Sequence, residues 1–492
     1  MSGTRAARRR SPSLIACALI ALAPYAAAQP ADDQRLDAYV REALRSNPVM
    51  DAGMQALLAS DLEARATRAR RLPALGLEAR YTRATGGRTI DFPAGQLFNP
   101  IHETLNRLLE ERGEPAMFPT DLRDIEEPLL RPREQETKLT LRAPLYAPEI
   151  GAAIAARAAA TDAARAGLEV TARTLVREVK RAYFGAARAD AAEGILEASR
   201  DLLAEDLRIA KVMEREGTAT HDRVLRARAE MLAVEQRLDA ARAGTRQARR
   251  QLARLLGRDD AAGLVLPEAE PDGTPAPAPA DPGPDAEADT VSSRPELARL
   301  DAAIAGAEAQ VDAGQARRLP ELSLAADYGI QGADYAVDSS DDSFGTVSLV
   351  LRWNLFDFGA RRVSRDAAAA EAARLRAQRD DLERELRLAL QAANEDLDVA
   401  ARAVRTARAR VEAAEAAFAI AERKRAEASL SQVAFIDAQR ALTEARLNAV
   451  ITRFDLRDRI AEVEFVAAAY PLPALPLSAK ESSDEDAPDL SR

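Results

Sequence analysis

The feature that most constrains this chain is a run of 68 residues, 149–216, that contains no proline and keeps a helical pattern. An α-helix rises ~1.5 Å per residue, so the run predicts a helix roughly 100 Å long. A second run of comparable length follows Gly359 and reaches about Ala428. Helices of this length do not fit a compact globule, and they suit a tube that crosses an aqueous compartment.

The second run carries a seven-residue repeat, which is typical of a left-handed coiled coil. One seam position holds Leu390, Leu397, Val404, Val411 and Phe418, and the other holds Leu386, Ala393, Ala400, Ala407 and Ala414. Alanine at one seam position lets helices approach closely. We interpret this stripe as packing between helices and not as a cofactor site.

The chain repeats itself, which indicates a duplicated architecture. Arg70–Leu77 recurs as Arg317–Leu324 after 247 positions, Leu141–Tyr146 recurs as Leu351–Phe356 after 210, and a third pair starts at Gly217 and Ala428. Each half therefore reads strand, strand, long helix, turn, helix. The first half carries about 37 extra residues between its two strands.

Four short segments alternate apolar and polar residues with period 2, which predicts strands. Their apolar faces are Leu75 to Tyr81, Leu139 to Ala143, Leu322 to Tyr328 and Val347 to Trp353, taken at every second residue. The opposite faces include Lys138, Arg142 and Arg352. The pattern fits either a soluble sheet with one face on a core or an outer-membrane barrel around a wet lumen.

A predicted N-terminal secretory signal peptide, the repeat and the long helices favour the barrel over the soluble sheet. Four strands cannot close a barrel alone, because ~8 strands is the lower limit, so closure requires several chains.

At the far end of each long helix we expect a hairpin turn. Gly217 can end the first helix in the left-handed conformation, and Thr218 or Thr220 can cap the next one. Ser429 or Ser431 can do the same in the second half.

The N-terminus predicts a secretory signal peptide, with arginines up to Arg10, an apolar stretch 14–22 and small residues up to Ala28. An alternative interpretation is a bacterial lipobox, which would make Cys17 an acylated N-terminus. No later stretch approaches ~18 uncharged apolar residues, so no transmembrane helix is expected.

We divide the chain into a signal peptide 1–28, a first repeat 29–258, a Pro-rich extended linker 259–292, a second repeat 293–470 and an acidic tail 471–492 that is expected to be disordered. An insertion, 84–136, separates the first two strands, and a helix is expected over Ile101–Arg112. The insertion is expected at the outer mouth of the barrel. It either narrows the pore or forms a surface loop without effect on transport.

Composition excludes several classes of function. One Cys and two His rule out an internal disulfide and nearly exclude a Cys/His zinc site. A net charge of -10 argues against a basic nucleic-acid surface. No nucleophile–base cluster, phosphate loop or metal-ligand spacing stands out, so we expect no enzyme, no cofactor and no nucleic-acid partner.

The duplicated pattern resembles the TolC-type outer-membrane efflux family. The best motif runs from Leu351 through Trp353, Asn354, Leu355, Phe356, Asp357 and Gly359 to Arg361, and Ala143–Tyr146 is its counterpart in the first half. The resemblance covers about residues 35–468. It implies a mainly α fold with a small β part.

The assembly implied by the resemblance is a homotrimer, with a twelve-stranded outer-membrane barrel continued by a twelve-helix coiled-coil periplasmic tunnel. Its partners would be outer-membrane lipid, a periplasmic adaptor and an inner-membrane pump of the RND, ABC or MFS type. Its cargo would be toxic small molecules, metal ions or proteins.

The resemblance also implies roles for particular residues. Gly217, Thr218, Ala219 and Thr220 match one adaptor-docking tip, and Ser429, Leu430 and Ser431 match the other. Asp437 falls where the family carries an acidic ring at the closed entrance, although a solvated helix face explains it too. Ala434 and Arg223 depart from the family pattern, while His221 and His102 are expected to be solvated. The polar strand residues Lys138, Arg142 and Arg352 would line the barrel lumen.

Two other classes of function are weighed against an export channel. A periplasmic coiled-coil scaffold or adaptor explains the helices and the leader, but not two strand pairs with lipid-type alternation. A secreted enzyme lacks any supporting cluster of residues.

Overall fold

The computed structural model describes residues 31–267, 283–333, 343–427 and 429–473. The predicted signal peptide 1–28, with Cys17, lies outside the described residues. The same holds for 268–282 of the predicted linker and for 474–492 of the predicted tail.

Within the described residues, the first half of the chain contains five helices and four strands. These are α1 (Ala31–Ser46), α2 (Pro48–Ala69), β1 (Ala74–Arg83), β2 (Thr89–Phe92), α3 (Ala94–Glu110), β3 (Ile125–Pro128), β4 (Arg133–Tyr146), α4 (Pro148–Arg215) and α5 (His221–Leu255). The second half contains α6 (Gly283–Ser292), α7 (Pro295–Ala316), β5 (Glu321–Gly332), β6 (Ser343–Arg352), α8 (Ala360–Ala426) and α9 (Gln432–Val466).

The predicted duplication is confirmed, down to the lengths of the helices. Helices α4 and α8 have 68 and 67 residues, and α5 and α9 have 35 each. Helices α2 and α7, which precede the strands and were not predicted, have 22 residues each. Both begin on a proline, Pro48 or Pro295, because the first helical position tolerates the missing N–H. The fold is mainly α with a small β part, as expected.

The four long strands form one antiparallel sheet in the order β1-β4-β5-β6. Strand β4 therefore pairs with a strand from each half of the chain, and β1 and β6 are the two edges. The register places Leu77 opposite Leu139 and Leu324 opposite Leu349. Since side chains alternate along a strand, all four predicted apolar sets lie on one face.

The chain divides into two compact units. One comprises Met1–Arg45, Glu178–Thr274 and Thr406–Phe454, and contains both hairpin turns. The other comprises Ser46–Arg177, Pro275–Arg405 and Asp455–Arg492, and contains the sheet. In the sheet-bearing unit, Leu397 and Ala400 of the predicted heptad seam pack on Leu456 of α9. In the turn-bearing unit, Phe418 of the same seam packs on Phe435 and Leu442. The seam is a packing surface, as predicted.

The insertion between β1 and β4 differs from its prediction in two ways. Its helix begins at Ala94 and contains Pro100, whereas the prediction began at Ile101. The Asp124 carboxylate accepts hydrogen bonds from the N–H groups of Gly95 and Gln96, at 3.0 and 3.3 Å, and so caps the helix upstream of the proline. Strand β4 also begins at Arg133, inside the predicted insertion.

The segment after α3 is held along the helix by amide side chains. Asn106 is buried, and its Oδ1 accepts from the N–H groups of Met117 and Phe118 at 3.0 and 2.9 Å. The Asn99 side-chain amide donates to the carbonyl of Leu122 at 2.8 Å, and its Oδ1 accepts from the N–H of Leu122 at 2.9 Å. His102, expected to be solvated, is half-buried, and its ring contacts the carbonyl of Pro119 at 2.6 Å.

The predicted extended linker is partly wrong, because its last ten residues form helix α6. Pro284 is the second residue of that helix, where it removes no intrahelical hydrogen bond.

Candidate functional site

The polar face of the sheet carries paired charges. Lys138 of β4 lies 3.0 Å from Glu136 and 3.5 Å from Glu78 of β1, and Arg80 lies 2.8 Å from Glu136. One contact within β4 and two between β1 and β4 therefore pair Arg80 and Lys138, the latter predicted in a lumen, with carboxylates.

A second ion pair on the same face joins β4 to β5. Arg142 lies 2.8 Å from Asp327, and the register puts Arg352 opposite Glu321 at the edge of the sheet. The three predicted lumen residues, Lys138, Arg142 and Arg352, therefore share one face. Whether that face surrounds a pore depends on an assembly of several chains.

The opposite face is apolar and exposed in the single chain. Leu77 is 72% exposed, Val347 78% and Leu351 61%. Further exposed members of this face are Leu75, Tyr81, Leu139, Tyr328 and Leu349. An apolar patch of this extent is not stable in water, so it marks a surface that another apolar phase covers.

The motif after β6 forms a turn into α8 that is held by hydrogen bonds and a salt bridge. Asp357 accepts hydrogen bonds from the N–H groups of Gly359 and Arg361, at 3.2 and 3.1 Å, and forms a salt bridge with the Arg361 side chain at 2.6 Å. Gly359 has a φ of 89°, which favours glycine. The Asp and Gly of the predicted motif therefore start α8.

The apolar members of that motif have a different environment. Trp353 donates its indole N–H to the carbonyl of Arg318 at 3.0 Å, which fixes the strand end to the preceding turn. Leu355 and Phe356 are more than 70% exposed, and Phe358 is 93% exposed. Asn354 lies between Trp353 and Leu355 in the same irregular stretch. This exposed aromatic cluster adjoins the apolar face of the sheet in sequence.

The turn between α4 and α5 has the hydrogen bonds of a Schellman cap. Gly217 has a φ of 71°, and its N–H donates to the carbonyl of Glu214. The N–H and hydroxyl of Thr218 both donate to the carbonyl of Met213, at 2.8 and 3.0 Å, and the N–H of Ala219 donates there too. Thr220 occupies the N-cap of α5 but makes no side-chain cap bond.

The turn between α8 and α9 repeats this arrangement 211 residues later. The N–H and hydroxyl of Ser429 both donate to the carbonyl of Lys424, at 2.9 and 3.0 Å. The Ser431 hydroxyl accepts from the N–H of Ala434 at 3.3 Å and so caps α9, as the sequence suggested. Leu430 packs against the cluster around Phe418.

The predicted ring residue Asp437 is exposed on α9, three residues before Arg440. In the first turn, His221 is exposed and contacts Glu214 at 2.6 Å. Arg223 is partly buried, and its Nε has no hydrogen-bond partner among the described residues. These residues occupy the turn-bearing unit, as the sequence predicts, and their roles in gating stay predictions.

Sequence reasoning missed two ion pairs near these turns whose carboxylates are buried. Asp206 of α4 is 1% exposed and forms a salt bridge with Arg425, in the last turn of α8. Gln432 of α9 donates to the other Asp206 oxygen at 2.6 Å. Glu230 of α5, 8% exposed, pairs with Arg440 of α9. Neither pair has a sequence signal, because each joins residues more than 200 positions apart.

Within the described ranges, no helix is both long and apolar enough to cross a membrane. No cluster of three or more His, Cys, Asp or Glu suited to a metal ion is found in the same part of the chain.

Solved structures of outer-membrane channels share this fold. The outer membrane protein VceC from Vibrio cholerae matches with a TM-score of 0.69 at 18% identity, over 88% of this chain and 96% of that chain. The CmeC outer membrane channel from Campylobacter jejuni matches with a TM-score of 0.72 at 13% identity, over 92% and 89%. A membrane protein from Pseudomonas aeruginosa matches with a TM-score of 0.71 at 17% identity, over 88% and 93%.

These likenesses define the fold as that of an outer-membrane channel. The family model of outer membrane efflux proteins matches residues 131–258 and 289–465, which is more than half of the chain. The chain therefore belongs to the outer membrane efflux protein family, and the resemblance inferred from the sequence is confirmed. Its place is the outer membrane. No match is found among curated protein sequences.

Proposed function

We propose that three copies of this chain form the exit duct of a tripartite efflux or secretion system. The observation that carries the proposal is the two-faced sheet, apolar and exposed on one side and ion-paired on the other. Such a sheet is stable when its apolar face meets lipid and its polar face meets water.

The strand order supports closure by a rotational axis. Strands β1 and β6 are the edges and run in opposite directions, since each step in the order β1-β4-β5-β6 is antiparallel. Pairing β1 of one copy with β6 of the next would keep every neighbour antiparallel and leave no edge. Three copies would give twelve strands, above the minimum for a closed barrel. The number three comes from the family resemblance.

The duct would be passive and would work without a cofactor or covalent chemistry. Helices α4, α5, α8 and α9 of three copies would make the twelve-helix tunnel, with the two turns at its entrance. A periplasmic adaptor would dock on Gly217–Thr220 and Ser429–Ser431, and an inner-membrane pump would supply the energy. Opening would move the helical hairpins as rigid bodies.

The lumen would be weakly charged along the sheet, because Lys138, Arg80 and Arg142 are already paired with carboxylates. Selection of cargo by charge would then fall to the entrance, where three Asp437 side chains repel one another and attract cations.

The test is the mass of the native particle extracted from the outer-membrane fraction. The precursor is 53.0 kDa, so three mature chains should weigh about 150 kDa as a closed cyclic trimer. A soluble periplasmic monomer or dimer would mean that the strands form no barrel, and the scaffold interpretation would replace the duct.

A further inference from the structure

The outer ends of β1 and β4 place two arginines side by side on the apolar face of the sheet. Arg83 is the last residue of β1, Arg133 is the first of β4, and the register pairs them directly. Directly opposite residues in an antiparallel pair have Cβ atoms about 4.5–5.5 Å apart, and like charges at that distance destabilise the pair. An anion between the two guanidinium groups would relieve this repulsion.

The two guanidinium groups find no carboxylate partner in the described part of the chain. Both side chains are exposed, and neither forms an ion pair with any residue that the structure describes. The neighbouring carboxylates Glu134 and Glu136 belong to the opposite, polar face, where they lie across from Thr82 and Arg80. In the insertion, Asp91 of β2 lies across from Glu126 of β3, and Glu127 lies across from Ile90. None of these three carboxylates forms an ion pair with Arg83 or Arg133 in the part of the chain that the structure describes.

Two more arginines continue the basic surface into the neck of the insertion. The N–H of Ala84 donates to the carbonyl of Pro132 at 3.1 Å, and the N–H of Leu129 donates to the carbonyl of Arg88 at 2.9 Å. These bonds keep the two chain segments together beyond the sheet. Arg88 and Arg131 lie in this neck, are exposed and form no ion pair within the described part of the chain.

The apolar surroundings of the arginine pair distinguish it from an ordinary charged surface. The pair next to it on the same face is Tyr81, which is 61% exposed, and Gln135, which is buried. Leu129 and Leu130 in the neck are 58% and 57% exposed. A ligand for this place therefore needs an anionic head and an apolar tail.

The position along the strand identifies the leaflet. Strand β1 enters from α2, on the helical side, and leaves into the insertion, so Arg83 and Arg133 mark the outer end of the apolar band. A spanning strand needs ~9–11 residues, and β1 has 10. The arginines then lie at the level of the outer-leaflet headgroups.

We propose that Arg83 and Arg133, extended by Arg88 and Arg131, bind the phosphate groups of a phosphorylated glycolipid in the outer leaflet. Guanidinium groups bind phosphate through two parallel hydrogen bonds, and two opposed guanidiniums can hold one phosphate between them. The acyl chains lie along Tyr81 and the apolar face of the sheet. This site rests on the proposed function, since it requires the sheet to be in the outer membrane.

The test is native mass spectrometry of the mature, detergent-extracted protein with added bisphosphorylated lipid A. We expect the Arg83→Gln/Arg133→Gln variant to bind about tenfold more weakly than the wild type, because it loses charge-assisted hydrogen bonds. Arg384→Gln, on the exposed surface of α8, is the matched control and should bind as the wild type does. Equal binding by all three proteins would overturn the site.

Two further measurements keep the proposal testable if the double variant does not assemble. Wild-type protein should bind lipid A with both phosphates removed about tenfold more weakly than the bisphosphorylated form. Inorganic phosphate at equal concentration should not displace lipid A, and displacement would replace the lipid site with one for the free anion. Loss of trimers in detergent without any lipid would identify the arginines as a contact between copies and overturn the proposal.

These outcomes are separate from failure of the proposed function. A wild-type chain that is recovered as a soluble monomer contradicts the duct itself. An outer-membrane trimer that binds phosphorylated and dephosphorylated lipid A equally contradicts only the lipid site.

Discussion

Asp206 on α4 and Arg425 in the last turn of α8 form an ion pair whose carboxylate is almost completely buried. The Arg425 guanidinium also lies 3.9 Å from the centre of the Phe435 ring, so the cation is held by a carboxylate and an aromatic face together. The pair joins a helix of the first half to one of the second half within the turn-bearing unit. If the arginine were removed, the buried carboxylate would lack a counter-charge and would destabilise the fold.

Replacing Arg425 with methionine should destabilise the turn-bearing unit by about 3 kcal/mol, because the Asp206 carboxylate is left buried without a counter-charge. Thermal unfolding of the purified protein, followed by circular dichroism, measures this. Arg423→Met, on the exposed face of the same turn, is the control. The double change Asp206→Asn/Arg425→Met should recover much of the loss. Equal unfolding temperatures for the two single variants would contradict the prediction.

The pair of Glu230 and Arg440 predicts a pH dependence. Hydrogen bonding to the Arg440 guanidinium lowers the pKa of Glu230 from its ordinary value of 4.5. A carboxyl whose folded pKa is depressed stabilises the protein fully above its unfolded pKa of ~4.3, and this stabilisation is lost as pH falls through the lower folded pKa.

Unfolding midpoints of the wild type and Glu230→Gln, compared from pH 7 to pH 3, measure this contribution. The difference between them should be constant above about pH 5 and shrink below about pH 4. A difference that persists unchanged down to pH 3 would show that the charge on Glu230 does not stabilise the fold.

Leu351→Asp should abolish outer-membrane trimers, because it puts a charge on the face assigned to lipid. A charged side chain on the lipid face of a barrel costs up to about 2–4 kcal/mol, less for Asp and towards the interfaces, and a trimer would carry three such charges. Ser348→Asp, on the polar face of the same strand, is the matched control and should assemble normally. Heat-resistant trimers on gels of the outer-membrane fraction are the readout. Equal trimer yields from Leu351→Asp and wild type would remove the lipid assignment.

Asp437→Ala should reduce the preference for cations in single-channel recordings, because three carboxylates would be removed from the entrance. Asp381→Ala, an exposed carboxylate on α8, serves as the comparison and should leave selectivity unchanged. If the reversal potential in a salt gradient is the same for Asp437→Ala and wild type, Asp437 is a solvated surface residue.

The sequence predicted the features that local chemistry determines. The end of α4 was predicted within one residue and that of α8 within two, because Gly217 and Ser429 end them through local hydrogen bonds. The two faces of the strands followed from period 2 alone. The start of α3 was wrong because its cap, Asp124, lies 30 residues downstream of Ala94 and cannot be read locally.

The contacts that depend on pairing between distant segments could not be predicted. The neighbours of β4, and therefore the pairing of Arg83 with Arg133, follow from the sheet register. Asp206 and Arg425 are separated by 219 positions, and each alone looks like a solvated helix residue. At these positions the fold brings together charged residues that are far apart in the sequence, and substitutions there test the proposals directly.

The matched lengths of α4 and α8 restrict how such a chain can change. Removing one residue from α8 would rotate everything beyond it by ~100° and turn the Leu390–Phe418 seam away from its partner, whereas removing seven would rotate it by only ~20°. Deletions and insertions are therefore tolerated as whole heptads, and in both halves together. Helices that pack along a heptad seam can thus change length without losing their partners only in steps of seven residues.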